Sequence, residues 1–170
     1  MGSDSDLKVM SAAAKVLEEF NVEFDMQILS AHRCYEELHE WVATARERDI
    51  SVIIAGAGMA AHLPGICAAI FPLPVIGVPL YNEKAGGMDA LYSIVQMPPG
   101  VPVATVGMDA AKNAALLAVR MLAVGNPELE QKMNEYRDEM KNQVLEKNLH
   151  LQTVGYENYK KSSGDMSSIN

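Results

Sequence analysis

The sequence is poor in cysteine, poor in basic residues and free of long apolar runs. Its 170 residues contain two cysteines, Cys34 and Cys67. No ligand spacing relates them, which excludes a disulfide framework and a cysteine zinc site and fits a reducing compartment, the cytoplasm. Fourteen Lys and Arg stand against 22 Asp and Glu, a formal net charge of -8. The clustered basic surface that duplex nucleic acid requires is therefore not expected. No apolar stretch approaches the roughly 20 residues of a membrane span. The opening Met1-Gly2-Ser3-Asp4-Ser5-Asp6 is too polar for a signal peptide. Walker, Gly-x-Ser-x-Gly and Gly-x-Gly-x-x-Gly motifs are missing, and no pair of His or carboxylates has metal-ligand spacing. A site in this chain is expected to hold neither metal nor cofactor.

What is present is an ordinary globular balance, 49% hydrophobic and 21% charged, in which short β-type runs alternate with helical ones. The spacing predicts a helix over 7–20, with Val9, Ala13, Val16, Leu17 and Phe20 on one face. Alternation of Phe24, Met26 and Ile28 against Glu23, Asp25 and Gln27 predicts a half-buried strand over 23–29. A helix over 35–48 presents Leu38, Trp41, Val42 and Ala45 inward. Val52-Ile53-Ile54 reads as a strand over 51–55 buried on both faces, broken by Gly56-Ala57-Gly58. There follow a helix over 62–70 with Pro64 in its first turn, a strand over 74–78 and a polar loop over 81–87. A helix near 90–95, a strand over 101–106, an alanine-rich helix over 110–123 and a charged helix over 128–147 complete the pattern. Strand–helix repetition of this kind predicts a parallel sheet between two helical layers, an αβα arrangement. We read residues 1–147 as one α/β domain and 148–170 as a polar tail whose end is expected to be disordered.

Three loops carry ligand-type residues. Gly2-Ser3-Asp4-Ser5-Asp6 leads into a helix, whose start offers unpaired N–H groups to a phosphate, while an Asp there can accept from sugar hydroxyls. Plain helix capping explains the same residues. Ser30-Ala31-His32-Arg33 follows a strand-like run, where open α/β sheets place their chemistry. Arg33 suits a phosphate and never loses its charge. His32 can give and take a proton near neutral pH. The third loop, Gly56 to Gly65, is built of small residues that let a ligand approach the backbone. Its His62 reads as either a ligand contact or a cap. His39 and His150 lie off any apolar face.

These motifs closely resemble the PurE family. The resemblance rests on Gly2-Ser3-x-Ser5-Asp6, Ser30-Ala31-His32-Arg33, the run from Ile53 to Gly65 and that from Asp89 to Pro98, with Gly77-Val78-Pro79 and Lys112–Ala118 adding to it. It spans residues 1–145. It implies a flavodoxin-like parallel sheet with a long C-terminal helix. It further implies conversion of N5-carboxyaminoimidazole ribonucleotide to 4-carboxy-5-aminoimidazole ribonucleotide in purine synthesis. By the resemblance His32 is the catalytic acid and base. Ser3, Ser5, Asp6 and Arg33 hold the ribose phosphate portion, and Ser30, Gly58, His62 and Leu63 line the pocket. A homo-octamer and a functional link to an ATP-dependent N5-carboxyaminoimidazole ribonucleotide synthetase are implied too. Arg33 points to the mutase class rather than to the class that carboxylates aminoimidazole ribonucleotide directly with CO2. A non-catalytic nucleotide-binding module is the third reading.

The chain departs from the family pattern at four places, one of them a slightly shorter stretch between Thr105 and Lys112. Cys34-Tyr35 stands where members usually have Thr-Pro, and Met59 replaces a smaller residue. Members also have an apolar strand directly before Gly-Ser-x-Ser-Asp, in the middle of the sheet, where this sequence has only Met1. The first strand is thus expected to be missing. The chain as written is expected to be poorly stable unless another segment pairs there.

Overall fold

The structure, a computed structural model, describes residues 1–160. It divides into two compact units, Met1–Glu130 and the residues from Gln131 onward. The first unit is organised by three parallel strands in the order β1-β2-β3: β1 (Ile53–Gly58), β2 (Val75–Leu80) and the two-residue β3 (Ala104–Thr105). β1 and β2 pair over their whole length, from Ile53 opposite Val75 to Gly58 opposite Leu80. β3 meets only Ile76 and Gly77, although Val106 N–H and Asp109 N–H extend the contact by donating to the Gly77 and Pro79 carbonyls.

Helices α1 (Leu7–Glu19), α2 (Tyr35–Ala43), α3 (Leu63–Ile70), α4 (Met88–Val95) and α5 (Ala111–Ala123) surround these strands. Because strand side chains alternate, β1 and β2 serve two layers. Ile53, Ala55 and Val75 join Leu38, Cys67 and Ile94 in one core. Gly56 turns the other way, where a Cβ would come within 2.5 Å of the Met10 sulfur on α1. α1 packs on α5, whose Ala111, Ala114, Ala115, Ala118 and Val119 are buried. The expected αβα layering is present, and the alanine-rich face is an internal packing surface that brings two helices close.

Several boundaries differ from expectation. Gly56-Ala57-Gly58 continues β1 instead of breaking it. Small residues are needed inside that strand because α1 presses on it. The helix over 35–48 ends at Ala43 and tightens into a 3-10 turn, Ala45–Arg48, closed by Asp49 at φ 59. The long helix α6 (Pro127–Val154) runs past the expected end at 147. Asn126 caps its start by accepting from Leu129 N–H at 3.2 Å. Gly155, at φ 74, ends it by donating to the Leu151 carbonyl. The expected disorder at the end of the tail falls outside the described residues.

The largest correction concerns 23–29. The segment is extended but is not a strand, and the residues expected to face inward are exposed: Phe24 by 42% and Ile28 by 50%. A strand needs a partner, and the space between this segment and β1 is a cavity of about 480 Å³ lined by Met1, Met10, Leu17, Phe24, Ile53 and Ala55 among others. Among the described residues Met1 alone makes ladder-type bonds there. Its ammonium donates to the Gln27 carbonyl at 3.0 Å and its carbonyl accepts from Leu29 N–H at 2.8 Å. Burial lowers the ammonium below its ordinary value, opposed by Cys67 and Asp6. The cavity thus lies between 22–29 and β1, with Met1 at its edge.

Three outcomes follow from this packing. A Val- and Ile-rich segment of about five residues placed ahead of Met1 should raise the melting temperature by at least about 5 °C, since each buried branched side chain contributes about 1.5–3 kcal/mol. A Ser- and Asp-rich segment of equal length should leave it unchanged, and calorimetry distinguishes the two. Gly77→Ala should destabilise by about 1–3 kcal/mol, read by urea unfolding, because its Cβ would overlap Ile94 Cγ2. Burial pushes the Cys67 thiol up to about 11. A thiol reagent at neutral pH should therefore modify the half-buried Cys34 in the native protein and reach Cys67 only after denaturation.

Candidate active site

The site is assembled from the turns that follow extended segments. Residues 30–34 fold back on Ser30, whose carbonyl accepts from Arg33 N–H at 3.3 Å and Cys34 N–H at 3.1 Å. Its hydroxyl accepts from His32 N–H at 3.4 Å and Arg33 Nε at 3.3 Å. Cys34 closes the turn: its sulfur accepts from Ser30 N–H at 3.0 Å and donates to the Ser30 carbonyl at 3.4 Å. The thiol that stands in place of the family's Thr thus has a structural role, and α2 begins directly after it.

Arg33 reaches out of this turn. Its Nη2 donates to the Gly2 carbonyl at 2.8 Å, tying the second loop to the first across 31 residues. The first loop is a 3-10 turn, Asp4–Asp6, held by a capping box. Ser3 N–H donates to Asp6 Oδ2 at 3.0 Å, and Ser5 N–H donates to Ser3 Oγ at 3.3 Å. The Ser5 hydroxyl donates to Ser3 Oγ at 3.0 Å. Capping and ligand binding were alternative readings of these residues; the turn uses them for capping and still presents Ser3 to a cleft. That cleft, about 300 Å³, is lined by Gly2, Ser3, Asp4, Ile28, Ser30, Arg33 and Cys34.

The third loop brings in His62. β1 ends at Gly58, and Met59 turns the chain at φ 55. The His62 ring does not cap α3. Instead its Nδ1 lies 2.8 Å from the Ala60 carbonyl and 3.0 Å from His32 Nε2. The two rings meet edge to face, with centroids 4.9 Å apart and planes at 73°. Residues 30 positions apart in sequence are thereby joined at the site.

Of the residues singled out from the sequence, the structure brings together Ser3, Ser30 and Arg33 at the cleft and His32 and His62 as a pair. Ser5 and Asp6 stand behind Ser3 in its turn. Gly58 sits at the carboxyl end of β1 opposite Leu80. Leu63 is buried and borders the large cavity instead of the cleft. Sequence reasoning missed Asp4 and Ile28 as lining residues and the carbonyls of Gly2 and Ala60 as partners. Backbone acceptors leave no trace in a motif, because every residue carries one.

Comparison with known proteins identifies the family. The sequence profile of AIRC, AIR carboxylase, matches residues 1–143. The chain is 58% identical over 159 residues to the N5-carboxyaminoimidazole ribonucleotide mutase of Pyrococcus abyssi, covering 94% of this chain and 91% of that one. It is 54% identical over 159 residues to the protein of the same name from Thermotoga maritima, covering 94% and 93%. The phosphoribosylaminoimidazole carboxylase of Saccharomyces cerevisiae is 53% identical over 159 residues, which make up 28% of that longer protein. Among solved structures, Treponema denticola PurE superposes with a TM-score of 0.80 at 27% identity, covering 89% of this chain and 94% of that one. By sequence over most of its length, the chain belongs to the AIR carboxylase family.

Proposed function

We propose that this chain converts N5-carboxyaminoimidazole ribonucleotide into 4-carboxy-5-aminoimidazole ribonucleotide, with His32 moving the proton. The observation that carries the reading is a titratable ring placed next in sequence to a fixed cation that lines the cleft. His32 and Arg33 leave the same turn, and Arg33 is anchored on Gly2 at 2.8 Å. The names of the Pyrococcus and Thermotoga relatives supply the reaction.

The chemistry needs little else. The N–COO⁻ bond breaks, CO2 leaves, and the exocyclic nitrogen takes a proton from the His32 ring. C4 then forms a bond to the same CO2 and returns its proton to the ring. One carboxyl has moved from nitrogen to carbon and one proton from carbon to nitrogen, so a single His serves both steps. The bound substrate itself must cover the open cleft to keep CO2 from escaping between them. Arg33 uses two of its five donors on Gly2 and Ser30, which holds the fork rigid for the substrate phosphate. Ser3, Ser5, Asp6 and Ser30 supply hydroxyls and a carboxylate to the ribose phosphate. Gly58 and His62 complete the walls in this reading, while Leu63 stays buried against the large cavity. The substrate is an N-carboxylated amine, so it comes from an enzyme that carboxylates the amine, in our reading with ATP. A homo-octamer working in the cytoplasm belongs to the same reading. Two features support it: α6 carries exposed Met140, Val144, Leu145 and Leu149, and among the described residues no helix is long and apolar enough to cross a membrane.

Purified protein given the N5-carboxylated nucleotide, without ATP or added metal, should produce the 4-carboxy isomer. Product formed solely from aminoimidazole ribonucleotide and bicarbonate would convert the assignment to direct carboxylation. Binding without turnover would make the chain a nucleotide-binding module. His32→Asn should lower kcat by at least about 10²–10⁴-fold with nucleotide affinity retained. Arg33→Lys should act mainly on KM, raising it about tenfold, because an ammonium cannot reproduce the planar fork.

A further inference from the structure

The His32–His62 contact contains more information than proximity. A carbonyl oxygen can only accept a hydrogen bond, and the Ala60 carbonyl lies 2.8 Å from His62 Nδ1. That nitrogen therefore carries a hydrogen. The same nitrogen is 3.0 Å from His32 Nε2. A protonated ring nitrogen has no lone pair to offer, so His32 Nε2 is the acceptor. Neutral His32 then holds its hydrogen on Nδ1, and the Nδ1–H of His62 is shared between Ala60 and His32.

The anchoring is unequal. His62 N–H also donates to the Ala60 carbonyl, at 2.9 Å. Its chain neighbours Ala61 and Leu63 are buried, and Pro64 follows in the first turn of α3. His62 thus points a fixed donor at His32. Among the described residues the His32 ring meets only that of His62, so its ring is the one free to turn. Adding a proton to Nε2 sets two N–H groups head-on and drives the loaded ring away from His62.

We infer that His62 is a positioning residue that holds neutral His32, the form left once it has given its proton to the nitrogen, as Nδ1–H with Nε2 bare to take the proton back from C4, and that expels Nε2–H once that proton arrives. This deepens the reading in which His32 carries the proton in both directions, and rests on it. His62 touches no reacting atom in the scheme; it acts through His32.

The test is nitrogen NMR of the full chain labelled with ¹⁵N-histidine, at about two pH units above the ordinary imidazole value of ~6.5. His32 should show a bare Nε2 and a protonated Nδ1. In His62→Phe it should shift toward Nε2–H. In His62→Asn, whose amide places an N–H near the former Nδ1, the original form should return. In parallel, kcat should fall about tenfold in His62→Phe with KM little changed, the size of one net hydrogen bond, and recover in His62→Asn. Nε2–H on His32 in the unaltered protein overturns the inference, as does a kcat unmoved by His62→Phe. Turnover surviving in His32→Asn would instead overturn the acid–base role of His32, while leaving the tautomer measurement to stand on its own.

Discussion

Pairing of β1 with β2 is the constraint on which the other elements depend. Both strands run through the interior, and β2 is buried at every position. Their backbone groups have no water to turn to, so each must find its partner in the ladder. That requirement fixes the register from Ile53–Val75 to Gly58–Leu80. The register in turn sets where β1 stops, and Met59, Ala60 and His62 follow at its carboxyl end. The glycines obey the same constraint. Gly56 makes room for Met10 and Gly77 for Ile94, so the helical layers approach the strands closely enough to exclude water from both faces.

The site is a consequence of loop ends meeting where the strands end. No loop is sufficient alone. The 30–34 turn supplies His32 and Arg33 but gains its orientation from the Gly2 carbonyl. The Gly2–Asp6 turn is stable by its own capping yet would not find the cleft without Arg33. His62 belongs to α3 and is placed by the Ala60 carbonyl. Polar atoms that a motif would assign wholly to ligand are partly engaged in holding one another. Such mutual engagement keeps a small site rigid, because groups already oriented lose little freedom when substrate arrives.

The slot between 22–29 and β1 shows how strongly secondary structure depends on context. Phe24, Met26 and Ile28 have the alternation of a strand, and the backbone there is extended. Without a neighbour their carbonyls and amides form no ladder beyond Met1, and their side chains remain exposed. The period of 2 was legible in the residues, but pairing is a property of two segments and cannot be read from one. The same holds for β3, whose six apolar-rich residues yielded two ladder positions because only Ile76 and Gly77 face it. The glycines of β1 misled in the opposite direction: breakers by local chemistry, they are strand residues because α1 needs the space.

Read by itself, the sequence determined the alternation of strands and helices, the αβα layering, the apolar faces of α1, α2 and α5, and the chemistry-bearing groups Ser3, Ser30, His32 and Arg33. These are local properties, set by periodicity and by the identity of each side chain. The tertiary structure alone decided which of those groups meet. It joined His32 to His62 and Arg33 to Gly2, gave Cys34 a structural partner in Ser30, placed Leu63 in the core and left 22–29 unpaired. The physical reason is that contacts between distant residues depend on packing distances of a few ångströms and on backbone acceptors that every residue possesses. Such contacts leave no mark in composition or spacing until the chain has folded.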